Sequence, residues 1–228
     1  MELTYIITAE HCGNQIPARY QQLFKGAEEV RNSHRGWDPG TKEVATQLAK
    51  YLGINPYLHE VSRLLVEINR SIGHPQLFSE FTRNLPIDKL ESIKRQFYHP
   101  HRSLVEAAIR EQLGDAPVIQ LSIHSFTPVW EGHERPTDIG LLFDPKRKIE
   151  AKICESLAAK LGSHLPDLQV DFNEPYKGVD DGFTTYLRTV FNPGEYAGIE
   201  IELNQKISGA HLDHVTNALC KSIPTTLA

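Results

Sequence analysis

Cysteine is scarce in this sequence: Cys12, Cys154 and Cys220 are the only three in 228 residues. The number is odd and no pair has a CxxC spacing, so neither a disulfide framework nor a thiolate zinc site is indicated. A reducing, cytoplasmic setting is the expectation. Basic runs are also missing, and the net charge is −5. Without a basic patch or stripe, nucleic acid is not an expected partner. No stretch approaches the roughly 18 apolar residues that a membrane helix needs. The start, MELTYIITAEH, shows no basic segment followed by a long apolar one, so neither a signal peptide nor a membrane partner is expected. No GxSxG elbow occurs, which disfavours a serine hydrolase.

What is present is a globular composition, 40% hydrophobic and 23% charged, with enough chain for a real core. A single domain over 1–228 is expected. Short apolar stretches alternate with longer helical ones, which is the α/β signature. Strands are predicted at 3–9, 56–61, 64–69, 118–125, 138–143, 169–172 and 198–204. Helices are predicted at 41–52, 86–113, 148–161, 184–191 and 210–222, the second kinked or divided at Pro100. Segments 9–39 and 126–137 are polar, aperiodic and long, and such loops tend to carry function. In an open α/β sheet the site lies beyond the carboxyl ends of strands, and three predicted strands end in polar residues: Glu10-His11, Asn69-Arg70 and His124.

Each candidate has a plain structural reading beside its functional one. His11 follows the first strand, where it is either a ligand aimed into a cleft or a loop histidine satisfied by backbone. In VIQLSIHS, Gln120, Ser122 and His124 share one face and Ile119, Leu121 and Ile123 the other. Two strand-end histidines that converge would suit a metal, since catalytic zinc takes three His or Asp/Glu ligands and a water. Asp38 precedes Pro39 and a helix, so it is either a ligand or an N-cap. Asn69-Arg70 offers donors for a carboxylate, or else an ion pair with Glu67 or Asp181. In GIEIELNQ, Glu200 and Glu202 share a face of an otherwise apolar strand, which is costly unless that face meets water or lines a site. Asn173, Tyr176 and Lys177 lie in a turn-rich loop that either contacts substrate or is ordinary turn chemistry. His99 and His101 flank Pro100 and read as structural or surface residues, with His101 a weaker site candidate.

Taken in order, the segments EHCGNQIP (10–17), HRGWDPGT (34–41), RLLVEINRS (63–71), IHSFTP (123–128), DIGLLFDP (138–145), NEPYKGVDDG (173–182) and IEIELNQ (199–205) resemble the N-formylglutamate amidohydrolase family. That family is similar to zinc carboxypeptidases and aspartoacylases. The resemblance implies a three-layer α/β/α sandwich around a mixed sheet, of the phosphorylase/hydrolase-like, zinc carboxypeptidase-like kind. It implies a Zn²⁺-dependent amidohydrolase acting on a small anionic N-acyl amino acid such as N-formyl-L-glutamate. By the same resemblance His11 and His124 are metal ligands, Glu202 is the general base, and Asn69 and Arg70 bind substrate, with Arg70 also able to polarise the scissile carbonyl. Asn173, Tyr176 and Lys177 complete the pocket. The sequence departs from the carboxypeptidase pattern at the second ligand: Asn14 stands where that pattern has Glu. Asp38 is the implied replacement, and Glu10 the alternative.

Overall fold

The computed structural model describes residues 3–226. The strands are β1 (Thr4–Ala9), β2 (Tyr57–Leu58), β3 (Val118–Phe126), β4 (Val129–Trp130), β5 (His133–Glu134), β6 (Ile139–Leu142), β7 (Val170–Phe172) and β8 (Tyr196–Asn204). The helices are α1 (Glu28–Asn32), α2 (Thr41–Leu52), α3 (Ile87–Ile93), α4 (His99–Glu111), α5 (Lys148–His164), α6 (Phe183–Val190) and α7 (Ala210–Ser222). A six-stranded sheet runs in the order β2-β1-β3-β8-β6-β7. β1 pairs in parallel with β2 and β3, and β3 with β8, whereas β6 is antiparallel to β8 and parallel to β7. The sheet is therefore mixed, as expected, while β4 and β5 form a separate short ribbon.

Strand alternation builds the layers. Tyr5 and Ile7 of β1, Ile119, Leu121 and Ile123 of β3, and Ile199, Ile201 and Leu203 of β8 point into one core with α2, α5 and α7. Ile6, Val118 and Tyr196 point the other way, against Val105 and Ile109 of α4 and Phe183 and Leu187 of α6. Helices thus cover both faces, giving the α/β/α sandwich. The second face is where the sequence places its polar positions, Gln120, Ser122 and His124 on β3 and Glu200 and Glu202 on β8. α2 ends as its sequence predicts, with Gly53 at φ 71 in the left-handed conformation that costs glycine nothing.

Three expected elements differ. Residues 64–69 form turns rather than a strand. Leu64, Leu65, Val66 and Ile68 are all buried, in a subsidiary core with Tyr20, Phe24 and Tyr98. Their carbonyls have no neighbouring strand. Instead Ser79 Oγ donates to Leu64, Thr82 Oγ1 to Leu65 and Arg102 Nη1 to Ile68. A short apolar run buried on every side has no period that separates a strand from such a coil. The predicted helix 86–113 is α3, a π-turn at Lys94–Tyr98, and α4. Pro100 lies in the first turn of α4, where its missing N–H leaves a carbonyl one turn back unpaired and the ladder widens. The predicted strand 56–61 shortens to Tyr57–Leu58.

Candidate metal centre and active site

Glu10 and His11 follow β1, and His124 and Glu202 stand opposite one another in the β3–β8 register. Parallel neighbours sit about 4.8 Å apart, so His124 and Glu202 share a face at adjacent positions. The loop after β1 is held by a close approach: a Cβ on Gly13 would lie 2.4 Å from the Glu60 carbonyl oxygen. Glycine is the residue that allows this packing.

Asp38 reaches the same point from the loop before α2. Its backbone N–H donates to the His11 carbonyl at 2.8 Å. Its carboxylate is not an N-cap. The cap position is Gly40, at φ 85, with no side-chain bond to the helix, and it is the Asp38 carbonyl that accepts from Thr41 Oγ1. This frees the carboxylate. Asp38 Oδ2 lies 3.3 Å from His11 Nδ1 and 3.1 Å from His124 Nδ1. All three side chains are buried, and each offers a ligand atom within 4.8 Å of the others.

The far nitrogens of both rings are also spoken for. His11 Nε2 lies 2.5 Å from Glu67 Oε1. His124 Nε2 lies 2.9 Å from Ser122 Oγ, which in turn donates to Glu10 Oε2 at 2.6 Å. With those nitrogens donating, both Nδ1 atoms carry lone pairs and face a carboxylate oxygen. In that tautomer three acceptors converge in a buried space, an arrangement that a shared cation satisfies. The field here is negative and favours positive charge, as a metal ion or as a proton on the rings. Burial opposes charge on both rings, yet the carboxylates prevail and raise both histidines above their ordinary value. Asp38 is likewise held far below the usual carboxylate range despite burial, by His11 and His124. Glu10, the alternative ligand, sits behind His124 at Nε2, away from this point.

Glu202 differs from these carboxylates. Its Oε2 is buried without a hydrogen-bond partner. Burial pushes its pKa up to about 7, with His124 opposing and Asp38 reinforcing the rise. A carboxyl poised near neutrality beside a cation-favouring cluster is suited to proton transfer. Both line a cleft of about 530 Å³ together with His11, Asp38, Asn69, Arg70, Tyr176 and Lys177.

The remaining expected residues fall into two groups. Arg70 lines the cleft and donates from Nη1 to the backbone carbonyl of Asp181, so the carboxylate pairing considered for it does not form. Asn69 Oδ1 accepts from Phe183 N at the start of α6. Tyr176 accepts from Arg135, and Lys177 pairs with Glu174. Asn173 is the exception. It is not part of the cleft wall, and its Oδ1 accepts from Phe143 N and Gly178 N, which ties the loop to β6.

Sequence reading missed Arg63 and gave Glu67 no role in the site. Arg63 Nε donates to Glu67 Oε2 at 2.6 Å, and Nη1 to Asp38 Oδ1 at 3.2 Å. It therefore locks the carboxylates that orient His11 and complete the cluster. The only signal was two charges, four residues apart, inside an apolar run.

The family model for N-formylglutamate amidohydrolase matches residues 3–208. The chain belongs to the N-formylglutamate amidohydrolase family. Its members hydrolyse amide bonds, and this chain is a hydrolase of that kind. The fold agrees. A gene product of Agrobacterium tumefaciens is similar in structure with a TM-score of 0.82 and 25% identity, over 96% of this chain and 88% of that one. N-formylglutamate amidohydrolase from Ralstonia eutropha JMP134 is similar with a TM-score of 0.68 and 14% identity, over 97% of this chain and 92% of that one. No curated protein was found to match the sequence. Among the described residues no helix is long and apolar enough to cross a membrane.

Proposed function

We propose that this amidohydrolase is zinc-dependent and cleaves the amide of a small anionic N-acyl amino acid, with N-formyl-L-glutamate as the reference substrate. The observation that carries the reading is the convergence of two imidazole Nδ1 atoms on one carboxylate oxygen, at 3.3 and 3.1 Å, beside a carboxyl with an unpaired oxygen. His11, Asp38 and His124 would hold the ion. Two nitrogens and one oxygen, without thiolate, are the donor set of catalytic zinc sites that keep a position open. A zinc ion there supplies Lewis acidity, which acidifies a water towards a pKa of about 7 and polarises the scissile carbonyl.

The chain's own residues do the rest. Glu202 accepts a proton from the attacking water at Oε2 as the oxygen adds to the acyl carbon. It returns that proton to the amine nitrogen as the C–N bond breaks, releasing formate and glutamate from the reference substrate. Arg70, with further N–H groups beyond the one given to Asp181, binds the substrate carboxylate, and the Asn69 amide stands beside it. Glu67 and Arg63 hold His11 and Asp38 in place. Tyr176 and Lys177 close the outer wall.

The test is metal analysis of the purified protein followed by a panel of N-formyl, N-acetyl and peptide substrates. Stoichiometric zinc with formate release from N-formylglutamate is expected. Faster turnover of an N-acetyl or peptide substrate would move the assignment to another deacylase or to a peptidase. A metal-free protein that turns over nothing would leave only an anion-binding module.

A further inference from the structure

Behind the metal cluster lies a second, wholly buried set of polar groups that catalysis does not use. Glu10 is fully buried. One of its oxygens, Oε2, accepts from Ser122 Oγ and lies 3.4 Å from His124 Nε2. The other, Oε1, has no hydrogen-bond partner and faces His101 Nε2 at 4.0 Å. His101 is itself 8% exposed, and its Nε2 also lacks a partner. A carboxylate taken wholly out of water is costly unless donors face it from every side, and His101 is the group on the open side.

The position of His101 is set by local structure. The π-turn at Lys94–Tyr98 directly precedes α4. One extra residue in a helical turn rotates all that follows by about 100°. That rotation puts His101 and Arg102 on the buried face of α4. His101 is then wedged edge-on against His59, with ring centroids 5.4 Å apart, and against Phe183 at 6.2 Å. Its ring has little room to turn, so it presents a fixed nitrogen to Glu10.

We propose that His101 is a positioning residue for the metal centre, acting through Glu10 and Ser122 to fix the orientation and tautomer of His124. The contacts run in sequence: His101 faces Glu10 across 4.0 Å, Glu10 accepts from Ser122, and Ser122 accepts from His124 Nε2, which leaves Nδ1 free to bind. Hydrogen-bonded partners of ligating imidazoles govern metal affinity in this way. The inference rests on His11, Asp38 and His124 being the metal ligands.

The test is the zinc dissociation constant, measured by competition with a chromophoric chelator, together with thermal unfolding of the metal-free proteins. Glu10→Gln weakens zinc by about 10–100-fold, and His101→Phe by about tenfold. His101→Gln, which keeps an N–H donor near the position of Nε2, retains affinity. The double variant Glu10→Gln/His101→Phe binds no more weakly than Glu10→Gln alone, because His101 acts through Glu10. Where Phe is too rigid for the site, His101→Met is the flexible replacement of similar size. Affinities within about twofold of the parent in both Glu10→Gln and His101→Phe, or additive losses in the double variant, overturn the proposal. So does a fall in metal-free stability with unchanged zinc affinity, which is the mark of a purely structural residue. If the parent protein binds no stoichiometric zinc, it is the metal assignment that fails.

Discussion

At the scale of single residues, five carboxylates near the site, four buried and Glu200 half-buried, are set to different tasks by their neighbours. Asp38 and Glu67 each face Arg63 and His11, so both stay ionised and serve as anchors. Glu10 is held ionised by His101 and His124 against its burial. Glu200 accepts from Thr184 Oγ1. Glu202 differs from the other four in combining an unpaired oxygen with a pKa raised to about 7. Glu202→Gln should therefore keep zinc and fold but lose about 10²–10⁴-fold in kcat. Near-normal turnover would remove Glu202 from the mechanism. The sign of the pH dependence follows. The base must be ionised, so kcat/KM falls as pH drops through the Glu202 pKa. A nearby cation favours the carboxylate, which places this acid limb below about 7. A profile flat through the whole acid range would contradict the assignment. His124→Ala should abolish stoichiometric zinc, measured by metal analysis on protein shown to be folded; unchanged zinc content would refute the ligand role.

At the scale of elements, the segment 64–70 is the point of interest, because it carries Glu67, Asn69 and Arg70 without being a strand. It is fastened from α4. Arg102 Nη1 donates to the Ile68 carbonyl at 2.9 Å, and its guanidinium lies 4.4–4.9 Å from the rings of Tyr98, Phe183 and Tyr186. A buried cation stacked on three rings fixes that carbonyl far better than a loop would. Arg102→Met should cost about 2 kcal/mol in denaturant unfolding and raise KM more than it lowers kcat. Equal KM in the variant would show that the segment keeps its shape without this contact. The π-turn belongs to the same scale: it decides which face of α4 meets Ile68 and Glu10. Sequence reading placed a break near Pro100 correctly, yet could not say that the helix would continue with its faces rotated.

For the whole molecule, a metal ion held by the cluster at the carboxyl ends of β1 and β3 would couple metal binding to the fold. Asp38 comes from the loop before α2, and the two histidines from separate strands, so an ion bound by all three joins elements distant in sequence. Zinc that binds the native form alone stabilises it by about 2.7 kcal/mol at a free concentration 100 times Kd. Tm should rise with zinc concentration and fall on addition of chelator. A Tm indifferent to zinc would mean that the three side chains do not hold it. The cysteines take no part: all three are buried and free, and burial pushes the Cys12 thiol up to about 12.

How much of this could be read in advance depends on the range of the interaction. The alternation in 118–125 and 198–204 determined, from the sequence by itself, two strands with His124 and Glu202 on their polar faces, because side-chain direction in a strand follows from its period of two; that the second strand lies inside the sheet and not at its edge was decided by the fold. The glycines and motif order located His11 and Asp38 at strand and helix ends for similarly local reasons. Only the tertiary structure decided the rest. Whether the Asp38 carboxylate would cap a helix or face two histidines depended on Gly40 taking the cap and on β1 and β3 lying side by side. Whether 64–69 would be a strand depended on donors from Ser79, Thr82 and Arg102. The parts played by Arg63, Glu67 and Glu10 exist only between residues far apart in the chain. Local periodicity sets the direction of a side chain, but the cost of burying its charge is settled by what the fold brings opposite it.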